Sequence, residues 1–533
     1  MHELLSLVLS WLLAVLSWLP IGLFVLSSLN VKRRDRAIRD FILAMLAGAA
    51  INASILGTLS LFMPLTTKVA WIVAGVTTIP FIPRFMQGIG SVIIRIKSCS
   101  ILSWIGFAAF LFITIKTSLL PTLNNDSGLY YIQFMEWINS YAAVPGLANL
   151  HDRFGFNSNW HLLSAAFNSN NLNALLFALM GLGGFQAANS MITKKSVGFA
   201  IYALLPITMF LLLRFLTSTA PDLPATLIPM VYFTYLISER KKCSLPLLVL
   251  LIAFASTVKL LSVLHVIAIL PVVAWTIAKK DYKAVGLAVV AGLVVSVPWL
   301  ARNVIQTGYL VFPMESIDLF SFDWKVPNEL VANARKMVDT HARTGSYDLS
   351  NYGKPMSEWF PFWKSVQSKT VLAFLVIAGI NSILMLLISL FQVSKKKRTD
   401  QATINLFVSL TVIASFAFWW MSGPNPRFIY GITLFFFAYS LGSLAVSFEF
   451  GKILRFIPVL SLIPLIWMFR VVKNEPEPKR PTEFKTMEVV NGTIFYPVGT
   501  DKCWDYELPC ANTDRTDIEF RGEGLGDGFK NID

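Results

Sequence analysis

The stretch LLSLVLSWLLAVLSWLPIGLFVLSSL, residues 4–29, carries no charged side chain and is long enough to cross, as a helix, a hydrocarbon layer roughly 30 Å thick. Windows of this kind recur along the chain, and a soluble core cannot bury so many of them. They predict an all-α polytopic membrane protein of about 12 to 14 transmembrane helices. Composition agrees: hydrophobic residues make up 55% and charged residues 14% of the 533, with a mean hydropathy of +0.61, whereas soluble domains use roughly 25% charged residues. The first run lacks a basic leader, exceeds a signal-peptide core, and meets no small-residue cleavage site before VKRRDR, so it reads as a retained span.

The net charge of +14 does not point to nucleic acid. Much of the Lys and Arg lies in short clusters between the apolar runs: VKRRDRAIR at 31–39, RIK at 95–97, KK at 194–195, ERKK at 239–242, KK at 279–280 and KKKR at 395–398. That is the positive-inside pattern of a multispanning protein. With those clusters in the cytoplasm, the spans fall near 3–28, 40–64, 70–90, 100–120, 172–193, 196–216, 223–238, 244–258, 260–278, 283–300, 370–392, 403–421, 428–447 and 453–471. The two weakest lie at 223–238 and 244–278, where segments are short and Lys259 interrupts an apolar stretch; broken or re-entrant helices fit equally well.

This alternation divides the chain into a membrane domain, 1–471, and a small polar tail, 472–533, after the linker KNEPEPKRP. It also sends several polar features to one outer face: the loops 121–171 and 301–368, STAPDLPA at 218–225, SGPNPR at 422–427, and the tail. The tail reads as a strand-and-turn appendage. Its Cys503 and Cys510, with six residues between them, suit a disulfide on an oxidising side better than a metal pair, because no His or further Cys accompanies them.

Candidate chemistry gathers on that face. Asp126, in PTLNNDSGLYYIQFMEW, follows a turn and precedes an amphipathic segment expected to lie at the interface. Its alternative is a helix N-cap, as it is for Asp222, which opens a span after STAP. Two carboxylates at the mouths of two helices could serve as a general base with a partner or metal ligand, and Glu136 is a further acidic candidate. Lys259 stands among apolar residues, where an ammonium needs a cavity, an anion or a snorkelling path. Arg427, behind two prolines and a glycine, could bind phosphate with its planar fork or anchor at the interface. Arg302 and Asn303 in VPWLARNVIQTGYLVFP are expected at the surface, with Arg302 a third phosphate candidate. His151, Arg153 and Asn157 could hydrogen-bond a sugar, and Tyr130, Tyr131, Trp137 and Trp160 could stack on one, although interfacial aromatic belts need no substrate.

Four motifs, NNDSGLYY, STAPDLPA, PWLARNVIQTGYLVFP and GPNPRF, together resemble the GT-C superfamily of membrane glycosyltransferases over about residues 100–450, with 1–98 as extra N-terminal spans. The loop NLHDRFGFNSNW and the Cys-containing tail resemble a bacterial multispanning branch of that kind. The resemblance implies a GT-C-like fold with interfacial helices in the first outer loop, set in the bacterial inner membrane with its active site facing the periplasm or exterior. It implies sugar transfer from a polyprenyl-phosphate or polyprenyl-diphosphate carrier to a glycan, lipid or protein acceptor. Asp126 would be the catalytic carboxylate, and basic residues such as Arg427 would hold the lipid phosphate. This loop carries one Asp rather than an acidic pair, which leaves a cofactor such as Mg2+ or Mn2+ open. Two other readings are a polysaccharide polymerase or ligase relying on outer arginines, and a transporter or lipid flippase with charges at the midplane.

Overall fold

The computed structural model describes residues 2–31, 37–97, 99–167, 172–191, 196–395, 399–448 and 451–532. The basic residues 32–36, 194–195 and 396–398 lie outside the described residues. The chain is mostly helical. Among the described residues, eleven helices are long and apolar enough to cross a membrane, from His2–Ser28 to Tyr430–Ser447. They match eleven of the expected spans.

The other three expected spans are helical but different in kind. Asp222–Glu239 contains Pro229 together with Thr and Tyr residues, and almost all of it is buried among its neighbours. Leu245–Val258 is only 14 residues long. It ends where Lys259 adopts an extended backbone, φ −152° and ψ 119°, before a 3-10 turn, Leu260–His265, and the helix Val266–Ala278. The last segment is broken into Gly451–Leu454, Ile457–Leu460 and Leu462–Lys473, with the first break just before Pro458.

Close backbone approach fixes the first two helices. A Cβ on Gly22 would come within 1.8 Å of the Ala44 carbonyl oxygen, and one on Gly48 within 1.8 Å of that of Trp18. Only glycine permits such contact, and small residues are the usual means of joining helices in lipid.

The two ends of the helical bundle differ. At one, Arg39 pairs with Glu239 at 2.6 Å and Lys241 with Asp400 at 2.7 Å. At the other, the loops 121–171 and 301–368 meet the tail: Phe529 N–H donates to Pro145 O at 3.0 Å, and Arg521 pairs with Asp323 at 2.7 Å. The tail holds two antiparallel hairpins, Phe484–Val489 with Gly492–Pro497 and Ile518–Phe520 with Phe529–Asn531. Asn491 turns the first at φ 66°, a left-handed conformation that Asn tolerates. Cys503 and Cys510 are joined as a disulfide between the hairpins.

The first loop folds inward. Its helix Ile132–Ser140 buries Gln133, Phe134, Trp137 and Ile138, and every residue of Asn159–Ala166 is buried. In the second loop, Met356–Val366 is the amphipathic element, burying Trp359 and Trp363 while Met356, Phe362 and Val366 are exposed.

Candidate functional site

Asp126 is set by the turn before it. The Asn124 side chain accepts from Asp126 N–H at 3.0 Å, a local turn typical of Asn. Arg214 donates to Leu123 O at 2.9 Å and holds that turn to the neighbouring 3-10 segment. A π-helical turn, Ser127–Tyr131, comes next, and the Asp126 carboxylate makes no cap bond to it. The carboxylate instead accepts from Arg427 Nη1 at 2.8 Å and lies 3.5 Å from Tyr131 Oη. These two charged residues, Asp126 and Arg427, are 301 positions apart in sequence.

Arg427 is aimed by a rigid loop. Gly423, at φ 142°, ends the helix Asp400–Ser422, and two indoles grip the next two residues: Trp363 Nε1 donates to Pro424 O and Trp419 Nε1 to Asn425 O, each at 2.7 Å. The Asn425 side chain then accepts from Arg427 N–H at 3.2 Å.

Asp222 and Lys259 form a second ion pair beside the first. Asn173 holds the turn before Asp222 by donating to the carbonyls of Phe215, Ser218 and Ala220 at 2.8–3.0 Å. The break at Lys259 is tied to the first loop, with Ser158 Oγ donating to Val258 O at 3.0 Å and Asn159 Nδ2 to Thr257 Oγ1 at 2.8 Å. Phe428 joins the two pairs: Lys259 Nζ is 4.2 Å from its ring centre and Arg427 Cζ 5.3 Å. The four charges sum to zero in one partly buried group.

The field there is strong. Burial alone would raise the Asp126 carboxyl, but Arg427, helped by Arg153, holds it below its ordinary range. Burial opposes the charge on Arg427, and Asp126 and Asp222 outweigh it, so the guanidinium stays charged. Arg153 lies between the rings of Phe156 and Tyr347, at 5.5 and 5.4 Å. Tyr347 in turn stacks on His341 at 4.2 Å. Burial pushes the Tyr130 and Tyr131 hydroxyls up, so both remain neutral donors. The arrangement combines a carboxylate, two cations able to meet an anion, and an aromatic wall.

A family model described as a domain of unknown function, DUF8201, matches residues 4–434. The chain belongs to the DUF8201 family. No curated protein and no solved structure matches it. The DUF8201 region contains all four charges of the group and ends before the tail.

Other residues singled out from the DUF8201 sequence lie elsewhere. Glu136 is exposed and bonds only Ser140, at 3.3 Å, because its helix turns Gln133, Phe134 and Trp137 inward. Arg302 and Asn303 are not at the surface: the first loop packs over them, leaving Arg302 2% exposed and bonding Asn303 to Asn157 at 3.1 Å. Asn157 also donates to Trp299 O at 3.2 Å, which makes it a tie to the helix Tyr282–Thr307. His151 is buried with Nδ1 3.0 Å from Asp152, whose carboxyl is driven down to about 2 against its own burial by His151 and Arg153. Trp137 and Trp160 are core residues, and Trp160 Nε1 donates to Asn173 at 2.9 Å. Phe428, His341, Tyr347 and His161 carry no sequence signal, since none stands in a periodic or metal-like pattern.

The donor set suits a resident Mg2+ or Mn2+ poorly. Asp126 and Asp222 are each engaged by a cation, and among the described residues no group of three His, Cys, Asp or Glu side chains converges.

Proposed function

We propose that this protein is a membrane-bound glycosyltransferase of GT-C type that uses a polyprenyl-linked sugar donor. The observation that carries the reading is the meeting of Asp126, Arg427, Asp222 and Lys259 in one group where the loops cap the helical bundle. A lipid-borne phosphate at the membrane boundary needs cations, and a reacting acceptor hydroxyl needs a base. In the free protein Arg427 neutralises Asp126 and makes it a weak base. When Arg427 and Lys259 engage the carrier phosphate, Asp126 loses its nearest cation and its basicity rises. It then accepts the acceptor hydroxyl's proton as the new bond to the anomeric carbon forms. The bond from that carbon to the phosphate oxygen breaks, and its electron pair leaves with the carrier phosphate, facing Arg427 and Lys259.

In this reading the acceptor is a glycan, lipid or protein, the membrane is the bacterial inner membrane, and the site faces the periplasm or exterior. The disulfide-bonded tail beside the site supports that sidedness, since disulfides persist in oxidising compartments. A transporter or flippase is a second reading, favoured by the hydrogen-bonded pair of Tyr232 and His265, both buried within helices of the bundle. The test is to incubate purified protein with a panel of polyprenyl-phosphate sugars and measure lipid binding and sugar release. Arg427→Lys, which keeps the charge and loses the fork, is expected to bind the active donor roughly tenfold more weakly. Absence of binding and release across the panel, with lipid movement in proteoliposomes, would favour the transporter.

A further inference from the structure

The tail lies beyond the family match, yet its disulfide-closed loop holds the segment that carries Asp126. Trp504 N–H donates to Gly128 O at 3.0 Å. Gln133 Nε2 answers by donating to Trp504 O at 3.1 Å and Tyr506 O at 2.7 Å. The indole of Trp504 covers Gly128 so closely that a Cβ there would come within 2.4 Å of a ring carbon. Arg480 faces the same indole, 4.6 Å from its ring. Cys503, next to Trp504, ties this loop to Cys510, and Phe495 N–H anchors it by donating to Pro509 O at 3.0 Å.

Gly128 is two residues from Asp126, in a π-helical turn that contains Tyr130 and Tyr131. Such turns are uncommon and often occur at functional sites. Asp126 makes no cap bond to its own helix, so its position is set by the Asn124 turn before it, by the backbone of the π-helical turn after it and by Arg427. The tail packs on the Gly128 side of the turn, bonding Gly128 within it and Gln133 in the helix that follows.

We propose that the Cys503–Cys510 loop is a positioning clamp for the Asp126 segment, with Trp504 as the positioning residue acting through Gly128 and Gln133. The clamp does not depend on which reaction Asp126 serves. Only its effect on turnover rests on the glycosyltransferase reading.

The test is hydrogen exchange on the full-length protein in nanodiscs. Trp504→Ala, and separately Cys503→Ser with Cys510→Ser, should speed exchange of the amides of residues 127–133 by about tenfold while the helix Leu245–Val258 is unchanged. Trp504→Phe, which keeps a ring over Gly128, should restore most of the protection. Gly128→Ala should act strongly in the wild-type background and weakly beside Trp504→Ala, as expected for two residues in direct contact. Gln133→Ala provides the same readout if the tail variants fail to fold. In the transfer assay the clamp variants should lose roughly 10- to 100-fold in kcat with little change in donor KM. Unchanged exchange at 127–133, or equal acceleration through every helix, would overturn the clamp. Local acceleration in a protein that transfers no sugar, wild type included, would leave the clamp standing and remove the enzyme reading.

Discussion

Two arginines at opposite ends of the bundle, Arg39 buried and Arg427 partly buried, show how similar ion pairs can differ in purpose. Arg39 engages each of its three side-chain nitrogens: Nε and Nη2 bond Asp40 at 3.1 and 2.9 Å, and Nη1 bonds Glu239 at 2.6 Å. Among the described residues Arg427 makes one side-chain bond, Nη1 to Asp126 at 2.8 Å, and its buried Nε has no partner. The first guanidinium meets a carboxylate at every nitrogen, on two helices, and fastens them. The second keeps donors in reserve on a side chain that is partly exposed, and an unmet buried donor costs about 1–3 kcal/mol until something meets it. The number of nitrogens engaged, rather than charge, separates the fastening from the candidate site.

The largest expected effect separates the two ends by chemistry. Asp126→Asn keeps the shape and can still accept from Arg427, but it loses the charge that a general base needs. Sugar transfer should fall on the order of 10² to 10⁴-fold at matched expression and melting temperature. Asp222→Asn and Glu136→Gln run beside it. Near-normal transfer by the Asp126 variant, with collapse in the Asp222 variant, would shift the working carboxylate to the Lys259 pair.

A reciprocal change at the other end should affect stability and spare chemistry. Arg39→Met removes the cation that Asp40 and Glu239 share, and breaking a buried pair is strongly destabilising. The melting temperature should drop while transfer per folded molecule holds. A variant that melts normally but transfers poorly would erase the contrast and tie the Arg39 end to function.

How much of this could be read from the sequence depends on the demands of lipid. A hydrocarbon layer tolerates few charges, so eleven helices announce themselves by their apolar runs, and Lys259 announces the break at its own position. The same rule makes Asp126, Asp222, Lys259 and Arg427 conspicuous one by one. Their pairing is not legible, because Asp126 and Arg427 meet only after 301 residues of folding. Arg302 looks like a surface residue because it nears a helix end, and only the packing of residues 147–157 over that helix buries it. Glu136 is misleading for a matter of helix phase, three residues beyond Gln133 but turned to solvent. His341 and Tyr347 lie in a polar loop with no period to mark them, and only folding brings Tyr347 against Arg153 and His341 against Tyr347. The fold was therefore more readable than the site, since solvent selects the helices and tertiary contact selects the partners.

The smallest expected effect tests whether acid reaches one end alone. His161 is 1% exposed, with neither ring nitrogen bonded, and it packs against Tyr131 and Phe134 at 4.9 and 5.6 Å. Burial lowers its pKa to about 3, only partly opposed by Asp222. An unfolded histidine titrates near 6.5, so the unfolded chain takes up a proton that the folded site refuses across the interval between. His161 therefore favours folding fully above about pH 6.5, and that stability is lost as pH falls toward 3, by about 1.4 kcal/mol at pH 5.5. The Arg39, Asp40 and Glu239 group holds no histidine. His161→Phe, which keeps an aromatic ring in the same packing, should flatten the fall in melting temperature between pH 7.5 and 5.5, whereas Arg39→Met should melt lower at every pH with the wild-type slope. Equal slopes for wild type and His161→Phe would mean that the imidazole is hydrated or already charged in the folded protein, and the acid sensitivity of the site end would have to be sought in another group.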